Sequence, residues 1–326
     1  MKALIFDEPN RPVVTDVQSP SIGADEVMIR SRRVGICHSD YELLSGHYII
    51  PISYPVTPGH EWVGEVVEVG RHVEGLAVGD RVVGECVIKT PERIHHFGFS
   101  MDGADREYFA ARPEWLHKLP DGVDDAQGAL IEPFTCGYYA VLRHGGVDAS
   151  KTVVVSGGGT IGLVSAAAAI GMGARVIVVD PVPLRREIAM RLGADATVDP
   201  TAGNPVEAIA EMTKGGADLV IEAAGHPSSL ANVFDYARPE GCVSMVGISI
   251  GQKFPVELGK IQIKDLSVRG CIGSPGVWPG AIRFLERTGL DLSPIQTHSF
   301  GLDDALTAFE LGKDPQKAVK ITLNIG

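Results

Sequence analysis

No C-x-x-C pair occurs in the 326 residues. The cysteines are five, an odd number, scattered at Cys37, Cys86, Cys136, Cys242 and Cys271. That excludes a disulfide framework and fits a chain kept reduced in the cytoplasm. No apolar run of about eighteen residues escapes polar or glycine interruption, so no membrane-spanning helix is expected. The opening "MKALIFDEPNRP" has a short apolar run and then acidic residues. It lacks the long apolar stretch and cleavage site of a secretory leader. An excess of positive charge is missing as well. A net charge of −12 argues against nucleic acid or an anionic membrane as the main partner and leaves small ligands open. Internal repeats and low-complexity segments are absent. What is there is an ordinary globular composition, 44% hydrophobic and 21% charged, in a chain long enough for two domains and a sizeable core.

The texture changes along the chain. Up to about residue 120, "EVMIRSRRVGI", "GEVVEVG" and "DRVVGECVI" read as short strands bounded by Gly, Asp or Pro, a β-rich region of barrel-like character. A helical stretch follows in "DDAQGALIEPFTCGYYAVLRHGG". From Lys151 on, strand and helix patterns alternate through "TVVVSGGGTIGLVSAAAAIGMGARVIVVD" to "CVSMVGI". Alternation of this kind predicts parallel strands joined by crossover helices, a doubly wound α/β sheet. After "LSVRGCIG" the rhythm breaks. Two helices, "WPGAIRFLERTGL" and "FGLDDALTAFELGK", precede a closing strand in "KAVKITLNIG". The predicted organisation is a β-rich domain over 1–143, an inserted α/β domain over 144–272, and a return to the first domain over 273–326.

"SGGGTIG" sets Gly157, Gly159 and Gly162 in G-x-G-x-x-G register, with Gly158, Thr160 and Ile161 between them. It follows a strand pattern and opens a helix, the context that the motif requires. Gly157 permits a tight turn, Gly159 lets backbone approach a pyrophosphate, and Gly162 lets the helix pack on the strand. The helix N-terminus offers free N–H groups to phosphate. Asp180 ends the next strand, where a carboxylate accepts hydrogen bonds from an adenine ribose and repels a 2′-phosphate, which favours NAD over NADP. Arg185 and Arg186 follow, and Arg185 is a candidate for the adenine side. The bland alternative is a glycine-rich turn without a ligand.

A second group of residues needs a different explanation. Cys37 stands in "GICHSD", His60 and Glu61 in "PGHEW", and Glu132 in "ALIEP". A thiolate, an imidazole and a carboxylate from Glu61 or Glu132 form a mixed set with one open position, the arrangement of a catalytic zinc. Asp40 can hold the imidazole's second nitrogen. Pro133 is expected to keep Glu132 out of the α region. Taken singly, each residue has a bland reading: a buried cysteine, a surface His–Glu pair.

In order, "GICHSD", "PGHEWVGEVVEVG", "VGDRVVGE", "DGADREYF", "ALIEP" and "VVVSGGGTIG" resemble the zinc-containing medium-chain dehydrogenase/reductase family of alcohol and polyol dehydrogenases, over essentially the whole length. The resemblance implies a GroES-like catalytic domain, a Rossmann NAD domain, and an active site in the cleft between them. It implies one catalytic zinc per subunit on Cys37, His60 and either Glu61 or Glu132, with Ser39 taking the substrate's hydroxyl proton. A homodimer or homotetramer is implied too. His38 and Lys320 are implied candidates for cofactor phosphate, with a solvent-facing histidine and a strand-edge lysine as the alternatives. His47, Tyr48, Phe97, Phe99 and Trp278 are candidates to line the pocket or to be core.

Several departures limit what carries over. The region "ECVIKTPERIHHFGFSMDG" is too short for the four-cysteine structural zinc lobe of many relatives and holds only Cys86, so no structural zinc is expected. Glu42 stands where many polyol-type relatives carry a relay histidine. Asp105 and Arg106 replace a small, apolar pattern, and are either a substrate contact or a surface ion pair. Gly273 stands where sorbitol-type enzymes tend to carry a substrate arginine. The reading is an NAD-dependent zinc dehydrogenase for a secondary, polyol-like, cyclic or amino-sugar-like alcohol. The alternatives are a metal-free quinone or enoyl reductase of the same superfamily and a non-catalytic nucleotide-binding protein.

Overall fold

The computed structural model of the chain describes residues 1–47, 52–247 and 252–326. The chain folds as two compact units. The first comprises Met1–Glu132, Ile282–Arg287 and Gln296–Gly326; the second comprises Pro133–Ala281 and Thr288–Ile295. Among the described residues no helix is long and apolar enough to cross a membrane.

The first unit is built on a seven-stranded sheet. Its order runs Gln296–Gly301, Lys320–Asn324, Val27–Gly35, Glu61–Val69, Arg81–Gly84 and Leu116–Lys118, with Tyr108–Ala111 also paired to Val27–Gly35. The closing strand predicted in "KAVKITLNIG" is therefore an interior strand of this sheet. Register matters at one rung. Gly35 faces Glu61 on one side and Thr322 on the other, both in antiparallel pairing. A Cβ at Gly35 would meet Glu61 Oε2 at 2.5 Å, so glycine is what lets the Glu61 side chain lie across the sheet there. Two apolar clusters hold the unit. One packs Val27, Ile29, Trp62, Val66, Phe97 and Phe109; the other packs Leu4, Phe6, Leu43, Phe99, Phe309 and Leu323. Each such side chain contributes about 1.5–3 kcal/mol relative to exposure. Phe97 and Phe99 are thus core, not pocket lining.

The second unit is the predicted doubly wound sheet. Six parallel strands run in the order Ala196–Val198, Arg175–Val179, Thr152–Ser156, Ala217–Glu222, Ala237–Met245 and Ser267–Gly270. Val153–Val155 and Val176–Val178 are wholly buried. Continuous apolar runs of this kind mark parallel strands covered on both faces. Chain order reverses between Thr152–Ser156 and Ala217–Glu222, the switch point where such sheets bind ligands. The helix Thr160–Gly171 buries Leu163 through Ala169 against the sheet.

One local expectation fails. Glu132 is the second residue of the helix Ile131–Leu142, not an extended residue. Pro133 falls in the first turn, where its missing N–H has no intrahelical partner to lose.

Gly162 and Gly159 face opposite constraints. A Cβ at Gly162 would run into the Gly157 carbonyl, whereas at Gly159 nothing lies within 4 Å. Gly162→Ala should therefore destabilise the protein by about 1–3 kcal/mol, as overpacking does. Gly159→Ser, at a helix N-cap, should leave stability unchanged within about 0.5 kcal/mol. Thermal unfolding of the two variants checks this, and equal melting temperatures would contradict it.

Candidate active site

In the first unit Cys37 is the N-cap of the helix His38–Ser45. Its backbone N–H donates to Asp40 Oδ2 at 2.8 Å, which ties the helix start to a wholly buried carboxylate. His60 precedes and Glu61 opens the strand Glu61–Val69, and both are buried. The ligand atoms of Cys37, His60 and Glu61 all lie within 4.8 Å of one another. Sulfur, nitrogen and oxygen at that spacing fit a tetrahedral zinc with one position left open. No other such group occurs among the described residues.

The surroundings hold these side chains in place. Asp40 Oδ1 lies 3.4 Å from His60 Nδ1, close enough for charge attraction, although neither atom has a hydrogen-bond partner. Phe99 packs on the imidazole at 4.9 Å between ring centroids. Lys320 Nζ reaches Glu61 Oε2 at 2.5 Å and the Ile36 carbonyl at 2.9 Å, with both charged side chains almost fully buried. Lys320 is therefore neither a surface lysine of a strand edge nor exposed toward a phosphate.

Electrostatics supply a further test of the fit. Burial pushes the Glu132 carboxyl up to about 7, with His60 opposing and Glu61 adding to the rise. Burial also lifts Asp105 well above the usual carboxylate range, and Asp40 adds to it. Burial opposes charge on His60, yet Asp40 and Cys37 outweigh it and hold the imidazole well above its ordinary value. Lys320 is raised in the same way: burial is overcome by Glu61 and Cys37. These four shifts all run toward holding a proton. The cluster is short of positive charge, which a divalent cation supplies.

The remaining candidates separate clearly. Ser39 lies in the first turn of the same helix and is half-buried. His38 is exposed, and His47 is exposed with Nδ1 2.9 Å from the Ser45 carbonyl. Glu42 is half-buried on that helix. Arg106 donates to Asp102 at 3.1 Å, so Asp105 and Arg106 do not pair with each other. Asp105 is instead buried, with Oδ1 unpartnered. Gly59 has φ +94, and a Cβ there would meet Asp105 Cγ at 2.9 Å, which brings this acid up behind His60. His95 and His96 lie on a two-stranded hairpin with Val87–Lys89, where Arg93 Nε donates to His95. Trp278 belongs to the second unit and is buried, its Nε1 donating to Ser274 Oγ at 3.0 Å. Tyr48 lies outside the described residues.

The glycine turn of the second unit is built from backbone. Gly157 has φ +105, which favours glycine, and a Cβ there would meet Ala224 N at 2.8 Å. Gly158 N–H donates to Asp180 Oδ2 at 2.7 Å, and Val182 N–H donates to Oδ1 at 2.8 Å. Gly159 caps the helix that Thr160 and Ile161 begin, on an open face. Arg185 Nη1 is 3.5 Å from Asp180 Oδ2, and its buried Nε has no partner. Arg186 is committed to the Asp180 carbonyl at 2.8 Å and to Asp199 at 3.0 Å. An open cradle, a carboxylate beside it and an orphaned arginine nitrogen fit a dinucleotide.

Two features escaped the sequence. The Glu61–Lys320 pair joins residues from opposite ends of the chain; its one sequence signal is a lysine inside an apolar strand. The other is Glu222, at the end of the strand Ala217–Glu222.

Known proteins resemble the chain over nearly its whole length. A family model described as alcohol dehydrogenase GroES-like domain matches residues 23–121, and one described as zinc-binding dehydrogenase matches residues 160–287. The chain is 32% identical to a sorbitol dehydrogenase from Halalkalibacterium halodurans over 99% of each chain. The structure of 2R,3R-butanediol dehydrogenase from Bacillus subtilis matches with a TM-score of 0.91 and 31% identity, covering 99% of both chains. A zinc-binding dehydrogenase from Sinorhizobium meliloti 1021, solved bound to NADP, matches with a TM-score of 0.91 and 31% identity, covering 99% of this chain and 98% of that one.

The two glutamates can be told apart by metal content. Glu61→Gln should lower bound zinc to well below one ion per chain. Glu132→Gln should keep the ion and lose about 10–100-fold in activity, as losses around a metal site do. Zinc analysis of both purified variants checks this; equal zinc in both would remove Glu61 from the ligand set.

Proposed function

The chain belongs to the zinc-containing medium-chain dehydrogenase family, and we propose that it oxidises a secondary, polyol-like or amino-sugar-like alcohol to a ketone with NAD. The observation that carries this reading is the convergence of Cys37, His60 and Glu61 in one buried cluster. Held by those three residues, zinc supplies Lewis acidity toward the substrate oxygen. Everything else falls to the chain's own groups. Asp40 and Phe99 fix the His60 ring, and Lys320 fixes the Glu61 carboxylate. Glu132, poised at about 7, can hold or release a proton beside them. Ser39, half-buried in the first helical turn, takes the hydroxyl proton and passes it outward. The alcohol's proton would thus leave to solvent, and NAD, held at the glycine turn of the second unit, would supply the hydride acceptor.

Polyol-like substrates are favoured by two relatives, one named for sorbitol and one for a butanediol. The Sinorhizobium relative was solved with NADP, so cofactor choice rests on this chain's own residues. Asp180 keeps acceptor capacity beyond its two backbone bonds, since an ionised carboxylate has about four lone-pair sites. It therefore suits ribose hydroxyls and repels a 2′-phosphate. Arg186 is already committed elsewhere. Family likeness supports a homodimer or homotetramer, and the scattered cysteines support a cytoplasmic location.

Incubating the zinc-loaded protein with NAD and a panel of polyols, amino alcohols and simple alcohols should give nicotinamide reduction with secondary, hydroxyl-flanked alcohols. Silence across the panel would overturn the activity. Cys37→Ala should abolish that turnover while leaving the Kd for NAD within about twofold, because the glycine turn is separate chemistry. Asp180→Ala should weaken NAD about tenfold more than NADP, the cost of losing a charge-assisted hydrogen bond; an unchanged preference would remove Asp180 from that role.

A further inference from the structure

Glu222 ends the strand Ala217–Glu222, beside Thr152–Ser156, at the point where strand order reverses. It is wholly buried. Among the described residues its hydrogen-bond donors are all neutral: Oε1 accepts from Ser229 Oγ at 2.6 Å, Gly225 N–H at 3.0 Å and Ala224 N–H at 3.1 Å, and Oε2 accepts from Gly225 N–H at 3.2 Å. Burying a carboxylate without a cation disfavours its charged form, which hydrogen bonds offset. Burial accordingly raises this carboxyl, and the donors from Ser229, Gly225 and Ala224 work against the rise. A residue kept at that cost, in the unit that does not contain the metal cluster, calls for a use.

Three strand ends meet on it. Val246 N–H and Gly247 N–H both donate to the Glu222 carbonyl at 2.8 Å, and Ala223 N–H donates to the Ser156 carbonyl at 2.9 Å. Ser229 spends its hydrogen on Glu222, so Ser156 Oγ, 2.8 Å away, is the donor to Ser229. Ser156 leads directly into Gly157, whose missing Cβ leaves room for Ala224 N. Gly247 is equally constrained, because a Cβ there would meet Glu222 Oε2 at 2.6 Å. In a sheet of this order the adenosine half of a dinucleotide lies on the Asp180 side of the glycine turn. The nicotinamide half lies across the switch point, over the ends of Ala217–Glu222 and Ala237–Met245. The nicotinamide ring is cationic in NAD+ and neutral in NADH, whereas the pyrophosphate charge is common to both.

We propose that Glu222 is a positioning residue for the nicotinamide half of the cofactor: its carboxylate fixes the loop Ala223–Gly225 against the glycine turn, and its buried negative charge favours the oxidised cofactor over the reduced one. The proposal rests on the dinucleotide reading of that turn.

Two variants of the zinc-loaded, full-length protein test it, with Kd values for NAD+ and NADH as the readout. Glu222→Gln keeps an acceptor at Oε1 and removes the charge. It should raise the Kd for NAD+ about tenfold and leave that for NADH within about twofold, the size expected for one charge in a protein interior. Equal weakening of both nucleotides would overturn the electrostatic claim and leave a merely structural acid. Ser229→Ala keeps the charge and removes one tie. It should weaken both nucleotides by the same factor, about fivefold for one lost hydrogen bond. Wild-type affinities in Ser229→Ala would overturn the positioning claim, even if Glu222→Gln failed to fold. Failure of the wild-type protein to bind either nucleotide would instead sink the dinucleotide reading itself.

Discussion

A buried ammonium and a buried carboxylate, Lys320 and Glu61, hold the first unit's site together. Neither charge is tolerated alone at that depth: removing one partner of such a pair typically costs about 3–5 kcal/mol. The pair forms only if the closing strand Lys320–Asn324 lies next to Val27–Gly35, and Val27–Gly35 next to Glu61–Val69. Sheet register, the missing Cβ of Gly35 and the chain's return to its first unit are all requirements of that one contact. The cluster's geometry inherits it, because Glu61 is both the lysine's partner and the carboxylate grouped with Cys37 and His60.

The two units hold their ligands by opposite means. In the first, side chains converge and backbone makes room: Gly35 for Glu61, Gly59 for Asp105. In the second, backbone forms the site and side chains tether it: Asp180 ties Gly158 and Val182, and Glu222 ties Ala224 and Gly225. A zinc needs a fixed donor set, which side chains supply. A pyrophosphate needs several N–H groups at a turn, which side chains cannot supply as compactly. Substitution at either site therefore acts differently. Changing a ligand deletes chemistry, whereas adding a Cβ at Gly162 deforms the cradle itself.

Local signals were legible in the sequence and long-range ones were not. The glycine turn and the doubly wound sheet announce themselves through spacing and through continuous valine runs, both of which are properties of neighbouring residues. Cys37, His60 and Glu61 were legible through short motifs on either side of one strand pairing. Glu132 was legible as a candidate, but its helical backbone was not, since a proline's effect depends on whether it falls in the first turn. Lys320 was misjudged because its partner lies in a strand far away along the chain. Asp105 beside Arg106 reads in sequence as a substrate contact or an ion pair. In the β-bridged segment the two side chains part, Arg106 to Asp102 and Asp105 inward. Glu222 carried no signal, because an acid ending a buried strand becomes informative only when its donors prove to be neutral.

Environment sorts the two glutamates beside His60 into different work. Glu61 faces the Lys320 ammonium 2.5 Å away, which fixes where its side chain lies. Glu132 has burial as its dominant influence and sits at about 7, where a carboxyl group exchanges protons most readily at neutral pH. Two carboxyl groups whose surroundings differ in this way are the usual means by which one site carries both a fixed charge and a mobile proton. A dehydrogenase needs both, since each turnover must dispose of one proton without disturbing the ligands. The surroundings thus separate the residue locked by Lys320 from its neighbour at the start of the helix Ile131–Leu142, whose carboxyl is lifted toward neutrality chiefly by burial.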